Sequence, residues 1–279
     1  MNPLVPPSWL ATRLQDPSII IFDATLPPVG VTPPVDTHAR YLESHIPGAL
    51  FFDIEALSDH ATRLPHMLPT PEDFSRNMSA LGVSDTSTIV VYEQQTVFSA
   101  ARAWWMLRTF GAQHVYVLDG GLRTWIASGL PTEAGPVQRP PATFNATLHR
   151  EAVVSLSQLK DQLANHQQIL DARSTARFNG AAPEPRPGLS SGHMPGATSI
   201  PFTELIEDGR LKPTEKLRDY LSTKNIDLQQ PITTTCGSGV TAAVIALALE
   251  VVGAPNVSLY DGSWTEYAQQ PDSIIEKNT

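Results

Sequence analysis

His45-Ile46-Pro47-Gly48-Ala49 returns later in the chain as His193-Met194-Pro195-Gly196-Ala197. Asp23-Ala24 precedes the first copy, and Asp171-Ala172-Arg173 precedes the second at the same separation. Further on, Leu118-Asp119-Gly120-Gly121 is answered by Tyr260-Asp261-Gly262-Ser263. Ser99-Ala100-Ala101 is answered by Thr241-Ala242-Ala243, both at a slightly shorter offset. A repeat fixes the architecture before any single element does. Each copy is long enough to bury its own core, so two copies make tandem domains rather than a solenoid.

Between the motifs, short apolar runs alternate with helical spacing. In the first half, strands are expected at 18–22, 50–52, 88–92 and 115–118. Helices are expected at 71–81 (with Thr70 as N-cap), 98–110 and 121–128. In the second half, strands are expected at 168–170, 198–202, 232–235 and 257–260. Helices are expected at 155–163, 214–221 and 263–268, and an apolar helix follows Val240. This alternation predicts an α/β fold with a parallel sheet flanked by helices in each half. The stretch 130–146 is rich in proline and polar residues and lacks periodicity. The expected boundaries are a first domain over 1–135, a linker over 136–150 and a second domain over 151–279.

The two halves differ in one loop. Cys236, the only cysteine of the 279 residues, stands in Thr235-Cys236-Gly237-Ser238-Gly239-Val240-Thr241-Ala242. A β-prone run leads in and an apolar helix leads out, which puts the thiol in a tight turn from strand to helix. Glycines let such a loop curl. Its amides, at a helix N-terminus, point at any anion in the cradle. A thiol there is expected to ionise readily, because those dipoles stabilise the thiolate. Aligned through the Ala100 and Ala242 helices, the first copy reads Glu93-Gln94-Gln95-Thr96-Val97-Phe98, without cysteine. The first domain is therefore expected to be catalytically silent.

The paired HxPGA motifs, the paired Asp-Gly motifs and the cysteine loop resemble those of tandem rhodanese-domain sulfurtransferases over nearly the whole chain. The loop itself is similar to that of 3-mercaptopyruvate sulfurtransferases. Thiosulfate sulfurtransferases carry basic residues where Gly237 and Ser238 stand. The resemblance implies sulfur transfer from 3-mercaptopyruvate through a Cys236 persulfide, with release of pyruvate. A thiol such as thioredoxin or glutathione, or cyanide, would take the sulfur. Thiosulfate as donor and a non-catalytic binding module are the alternatives. By the same resemblance, Arg177 and Arg186 hold the substrate carboxylate and carbonyl, while Gly237, Gly239, Val240 and Thr241 form the cradle. Ser238, a histidine and an acidic residue handle protons. His45 with Asp36 are the expected partners of Ser238, and His66 is another histidine in reach of the same role. His193 and Arg173 are expected to be structural.

Cysteine-loop phosphatases place an arginine six positions after the cysteine, to grip phosphate bidentately. That position is Ala242 here, which argues against phosphatase chemistry. A formal charge of −9 argues against nucleic acid and anionic membranes as partners. No metal or cofactor is expected, since no CxxC or His/Cys cluster occurs. Met1-Asn2-Pro3-Leu4-Val5 carries neither a basic nor an apolar leader pattern. With one cysteine, the expectation is a cytoplasmic protein.

Overall fold

The computed structural model describes residues 2–28 and 33–278. Part of the proline-rich stretch after Asp23, and Met1 at the expected leaderless start, lie outside the described residues. Two compact units emerge. The first comprises Met1–His60, Leu68–His149 and Asp208–Leu211; the second comprises Ala61–Met67, Arg150–Glu207 and Lys212–Thr279.

The first unit runs β1 (Leu4–Val5), α1 (Pro7–Ala11), β2 (Ile19–Asp23), α2 (Thr37–Glu43) and β3 (Ala49–Phe51). It continues with α3 (Pro71–Ala80), β4 (Thr88–Tyr92), α4 (Phe98–Thr109), β5 (His114–Leu118) and α5 (Gly121–Ala127). Its five strands lie in the order β1-β5-β4-β2-β3, all paired in parallel. Strands β2 and β4 are apolar nearly throughout and buried, as a sheet covered on both faces requires. Helix α3 starts where Thr70 accepts the Asp73 amide, with Pro71 at the first helical position.

The second unit repeats this plan with β6 (Val153–Val154), α6 (Leu156–Ala164), β7 (Gln168–Asp171), α7 (Thr175–Phe178) and β8 (Thr198–Ser199). In chain order β9 (Ile206–Glu207) and β10 (Arg210–Leu211) come before α8 (Thr214–Thr223), with β10 in a span that belongs to the first unit. Then come β11 (Ile232–Thr235), α9 (Ala242–Val252), β12 (Val257–Tyr260) and α10 (Ser263–Tyr267). The sheet order is β6-β12-β11-β7-β8, again parallel. Helix α9 is almost wholly buried, so it reads as an apolar run rather than an amphipathic one.

Three features depart from the sequence expectations. The run 198–202 holds only two strand residues before a 3-10 turn at Phe202–Leu205. The irregular stretch after Leu130 is laid along the first unit, which runs on to His149. There the Ala142 amide donates to the Ser79 carbonyl at 2.9 Å, and Phe144 is buried. Each unit also contains a short segment from the other half of the sequence. Ala61–Met67 belongs to the second unit and Asp208–Leu211 to the first.

The repeated HxPGA motif has the same structural use in both units. His45 bonds the Tyr41 carbonyl through Nδ1 (2.8 Å) and Glu133 through Nε2 (3.2 Å), and it stacks on Tyr41. His193 bonds the Phe178 carbonyl through Nδ1 (2.9 Å) and stacks on Phe178. Backbone bridges join His45 to Glu133 and His193 to Glu276. Each histidine thus anchors the segment that leaves its own sheet.

Candidate active site

Cys236 follows directly on β11, the central strand of the second sheet. Ligands in parallel α/β sheets bind beyond the carboxyl ends of the strands, and the thiol stands at such an end. The loop is tied down from one side by the start of α10. The Cys236 carbonyl accepts the Trp264 amide at 2.9 Å. The Gly237 carbonyl accepts the Thr265 amide at 3.0 Å and the Thr265 hydroxyl at 2.7 Å. Ser263, at φ 51°, donates its hydroxyl to the Tyr260 carbonyl and accepts the Cys236 amide. Gly239 takes φ 80°, a conformation in which a side chain is strained. Thr241 then opens α9 without a side-chain cap. An uncapped helix N-terminus presents amides and the positive end of the helix dipole.

Two guanidinium groups flank Gly237. A Cβ at this glycine would stand 3.0 Å from Arg177 Nη2 and 3.9 Å from Arg186 Nη1. The glycine therefore keeps the loop narrow enough for Arg177 to press against it. Arg177 sits on α7, which Ser174 caps by accepting the Arg177 amide. Its guanidinium is held by Glu184, through Nε at 3.2 Å and through a short bond from Nη2.

Behind Arg177 lies a buried ion cluster. Arg173 reaches Asp171 through Nε (3.0 and 3.1 Å) and Nη2 (2.6 Å), Glu184 through Nη1 (2.8 Å), and the Gly192 carbonyl through Nη2 (2.7 Å). Its guanidinium also lies 3.9 Å from the centre of the Trp264 ring. Burial disfavours the Arg173 charge, but Asp171 and Glu184 outweigh it and hold its pKa above the ordinary guanidinium value. The structural part expected of Arg173 and its aspartate is what the geometry shows.

The histidine beside Ser238 is His66. Its Nδ1 lies 3.0 Å from Ser238 Oγ and 3.3 Å from the Ser238 carbonyl. His66 is buried and takes φ 60°. For a histidine this is an uncommon backbone state, of the kind that gathers at functional sites. The expectation that His45 and Asp36 serve Ser238 is corrected accordingly. Both His45 nitrogens are engaged within the first unit, to Tyr41 and Glu133. Asp36 is the N-cap of α2 and accepts the Ala39 amide at 2.9 Å.

The geometry is matched by known proteins. The profile of the Rhodanese-like domain fits residues 6–128 and again 155–270. The chain belongs to the rhodanese-like domain family. A 3-mercaptopyruvate sulfurtransferase of Escherichia coli K12 is 48% identical over 271 residues, 96% of this chain and 95% of that protein. A mitochondrial thiosulfate/3-mercaptopyruvate sulfurtransferase of Arabidopsis thaliana is 41% identical over 299 residues, 99% of this chain and 78% of that protein. The crystal structure of SseA from Escherichia coli, described as a 3-mercaptopyruvate sulfotransferase of rhodanese fold, superposes with a TM-score of 0.87. It is 45% identical, covering 95% of this chain and 99% of that one.

Within this rhodanese-like frame, the sequence brought out the cysteine loop and both arginines but put His45 ahead of His66. His66 lies in an irregular segment, far from Ser238 in the sequence, so no periodicity marks it. Its one local signal is the Pro65-His66 step in a segment without a helix or strand pattern. Glu184 drew no notice because it reads as an ordinary acidic residue between Pro183 and Pro185. Among the described residues, no cluster of His, Cys, Asp or Glu is arranged to hold a metal ion. No described helix is long and apolar enough to cross a membrane.

Proposed function

We propose that the protein is a sulfurtransferase that takes sulfur from 3-mercaptopyruvate onto Cys236 and passes it to a thiol or cyanide. The observation that carries this is the neighbourhood of one thiol. Cys236 precedes a glycine pressed by two guanidinium groups, and two residues on, Ser238 is bonded to His66. The E. coli relatives are described by 3-mercaptopyruvate alone, and the Arabidopsis relative by thiosulfate and 3-mercaptopyruvate.

The chemistry follows from these groups. Arg177 and Arg186 receive the carboxylate and ketone oxygens, since planar guanidinium groups match them. The Cys236 thiolate attacks the donor sulfur, and a sulfur–sulfur bond forms as the carbon–sulfur bond breaks. The electron pair passes to carbon as the enolate of pyruvate, and a proton then returns to that carbon. The two sulfurs are oxidised together by two electrons, and the carbon is reduced by the same two. Ser238, in its bond with His66, moves the proton. The amides at the start of α9 hold the persulfide anion. In the second half-reaction the acceptor attacks the outer sulfur and the Cys236 thiolate leaves. Such a double displacement is covalent catalysis.

Thiosulfate is the second reading for the donor, because two guanidinium groups could also hold a dianion. The loop supplies no cation of its own at Gly237 or Ser238, which favours the monoanion. The single cysteine and the need to keep a thiol reduced support a reducing compartment such as the cytoplasm. The test is steady-state kinetics with both donors and a thiol acceptor. Parallel double-reciprocal lines and a higher kcat/KM for mercaptopyruvate are expected. Intersecting lines, or a preference for thiosulfate, would oppose the assignment.

A further inference from the structure

We propose that Glu184 is a positioning residue that sets the charge of the cysteine loop through Arg177, so that the loop favours a donor with one carboxylate over a dianion. This rests on the reading that Cys236 and Arg177 meet the donor. The Glu184 side chain is 2% exposed, against 22% for Arg177. Its two oxygens are divided between two arginines. Oε1 takes Arg173 and Oε2 takes Arg177. Arg173 cannot turn away, because Asp171, the Gly192 carbonyl and the face of Trp264 hold it. Glu184 stands between Pro183 and Pro185. Proline fixes its own φ and restricts the residue before it, so the backbone there is stiff as well. Arg177 is thus pinned from behind by an immobile carboxylate while its Nη2 presses on Gly237.

The charges then count as follows. Arg173 and Arg177 carry two positive charges, and Asp171 and Glu184 carry two negative ones, so this chain of ion pairs is neutral. Arg186 adds a cation at Gly237, His66 stands at Ser238, and Asp261 follows the neighbouring strand β12. Removing the Glu184 charge leaves Arg177 uncompensated beside the thiol. The loop then attracts dianions more, and Arg177 loses the partner that fixes its plane.

Because Cys236 is the only cysteine, alkylation reports on one site and needs no sulfur donor. The ratio of its rates with iodoacetate and with iodoacetamide reads the local potential, since only the first reagent is charged and thiolate content cancels. Glu184→Gln should raise this ratio about three- to tenfold, the effect of one charge in a partly screened cleft. Glu184→Asp should stay near wild type. The thiosulfate-to-mercaptopyruvate ratio of kcat/KM should rise in Glu184→Gln, with KM for mercaptopyruvate rising more than kcat falls. Should Glu184→Gln not fold, Arg177→Gln carries the test, because it leaves the Glu184 carboxylate facing the loop. There the alkylation ratio should drop at least about threefold. An unchanged alkylation ratio in a folded Glu184→Gln, or in Arg177→Gln, overturns the proposal. A shifted alkylation ratio without any turnover of mercaptopyruvate leaves the charge role standing and removes the donor assignment instead.

Discussion

The loops after β4 and β11 occupy the same place in two copies of one sheet and do opposite things. Strand pairing fixes their correspondence. Tyr92 faces Asp23 as Thr235 faces Asp171. The next carbonyl, of Glu93 in one copy and Cys236 in the other, accepts the amide of Leu122 (3.0 Å) or Trp264 (2.9 Å). Glu93 therefore stands where Cys236 stands. Alignment through the Ala100 and Ala242 helices puts Gln94 there instead, because the register between the two copies changes by one residue between these strands and those helices. In the first loop the Glu93 carboxylate turns inward and accepts the Thr96 amide and, at 3.5 Å, the Ser99 hydroxyl. The cradle binds an anion of its own chain. In the second loop a thiol takes the position.

The aspartates beside these loops differ in the same sense. Asp171 is met by the Arg173 guanidinium. Asp23 has Thr25 in that place and accepts its amide and hydroxyl, and it accepts the Gln94 side-chain amide at 3.4 Å. Burial consequently pushes the Asp23 pKa up, and burial does the same to Glu93. The fold alone does not make the site: the second copy has a cation at the aspartate and a thiol at the cradle, and the first copy has neither.

The sharpest break of this contrast is to remove the nucleophile. Cys236→Ser should abolish sulfur transfer and leave the thermal midpoint close to that of wild type, as the chain holds no second thiol. Residual turnover above background would mean that the first copy, or some other group, transfers sulfur. Next in size is His66→Asn. A positioned acid–base group is worth roughly 100- to 10,000-fold, and kcat should fall towards that range with a flattened pH profile. A pH profile like that of wild type would return the proton-handling role to another residue. Arg177→Ala and Arg186→Ala follow. Each removes a charge-assisted bond worth about 1.5–3 kcal/mol, or roughly 10- to 100-fold in kcat/KM for mercaptopyruvate. Wild-type kinetics in both would move the carboxylate elsewhere.

The smallest effect lies in the first copy. Asp23 has a raised pKa in the folded state, so the folded protein binds a proton that the unfolded chain has already released. Stability from this group is present below the ordinary carboxylate pKa of about 3.9 and is lost as pH rises through the raised value. Asp23→Asn should therefore flatten the decline in unfolding free energy as pH rises through that window. Urea titrations at a series of pH values would show it, and identical slopes in variant and wild type would remove Asp23 as the cause.

Much of this was legible from local patterns. The repeat, the parallel α/β plan and the strand–cysteine–helix turn each depend on neighbours in sequence. Thr70 as the cap of α3 was readable for the same reason. What was hidden depends on long-range contact. His66 meets Ser238 from an irregular segment with no period, while His45, conspicuous in its motif, is occupied by Tyr41 and Glu133. Glu184 gains its meaning only when α7 brings Arg177 to it. The alignment of the two loops needed the strand register, because a one-residue change of register between strand and helix leaves the helices similar and shifts the turn.

The central claim is that Cys236 carries the sulfur and that its counterpart, Glu93, does not. Intact-mass measurement after treatment with 3-mercaptopyruvate, without acceptor, tests it directly. The wild-type chain should gain one sulfur, about 32 Da, as a persulfide on Cys236 that a reducing thiol removes. Cys236→Ser should gain nothing. Pyruvate release with no mass gain on the wild-type chain, or an equal gain on Cys236→Ser, would contradict the account.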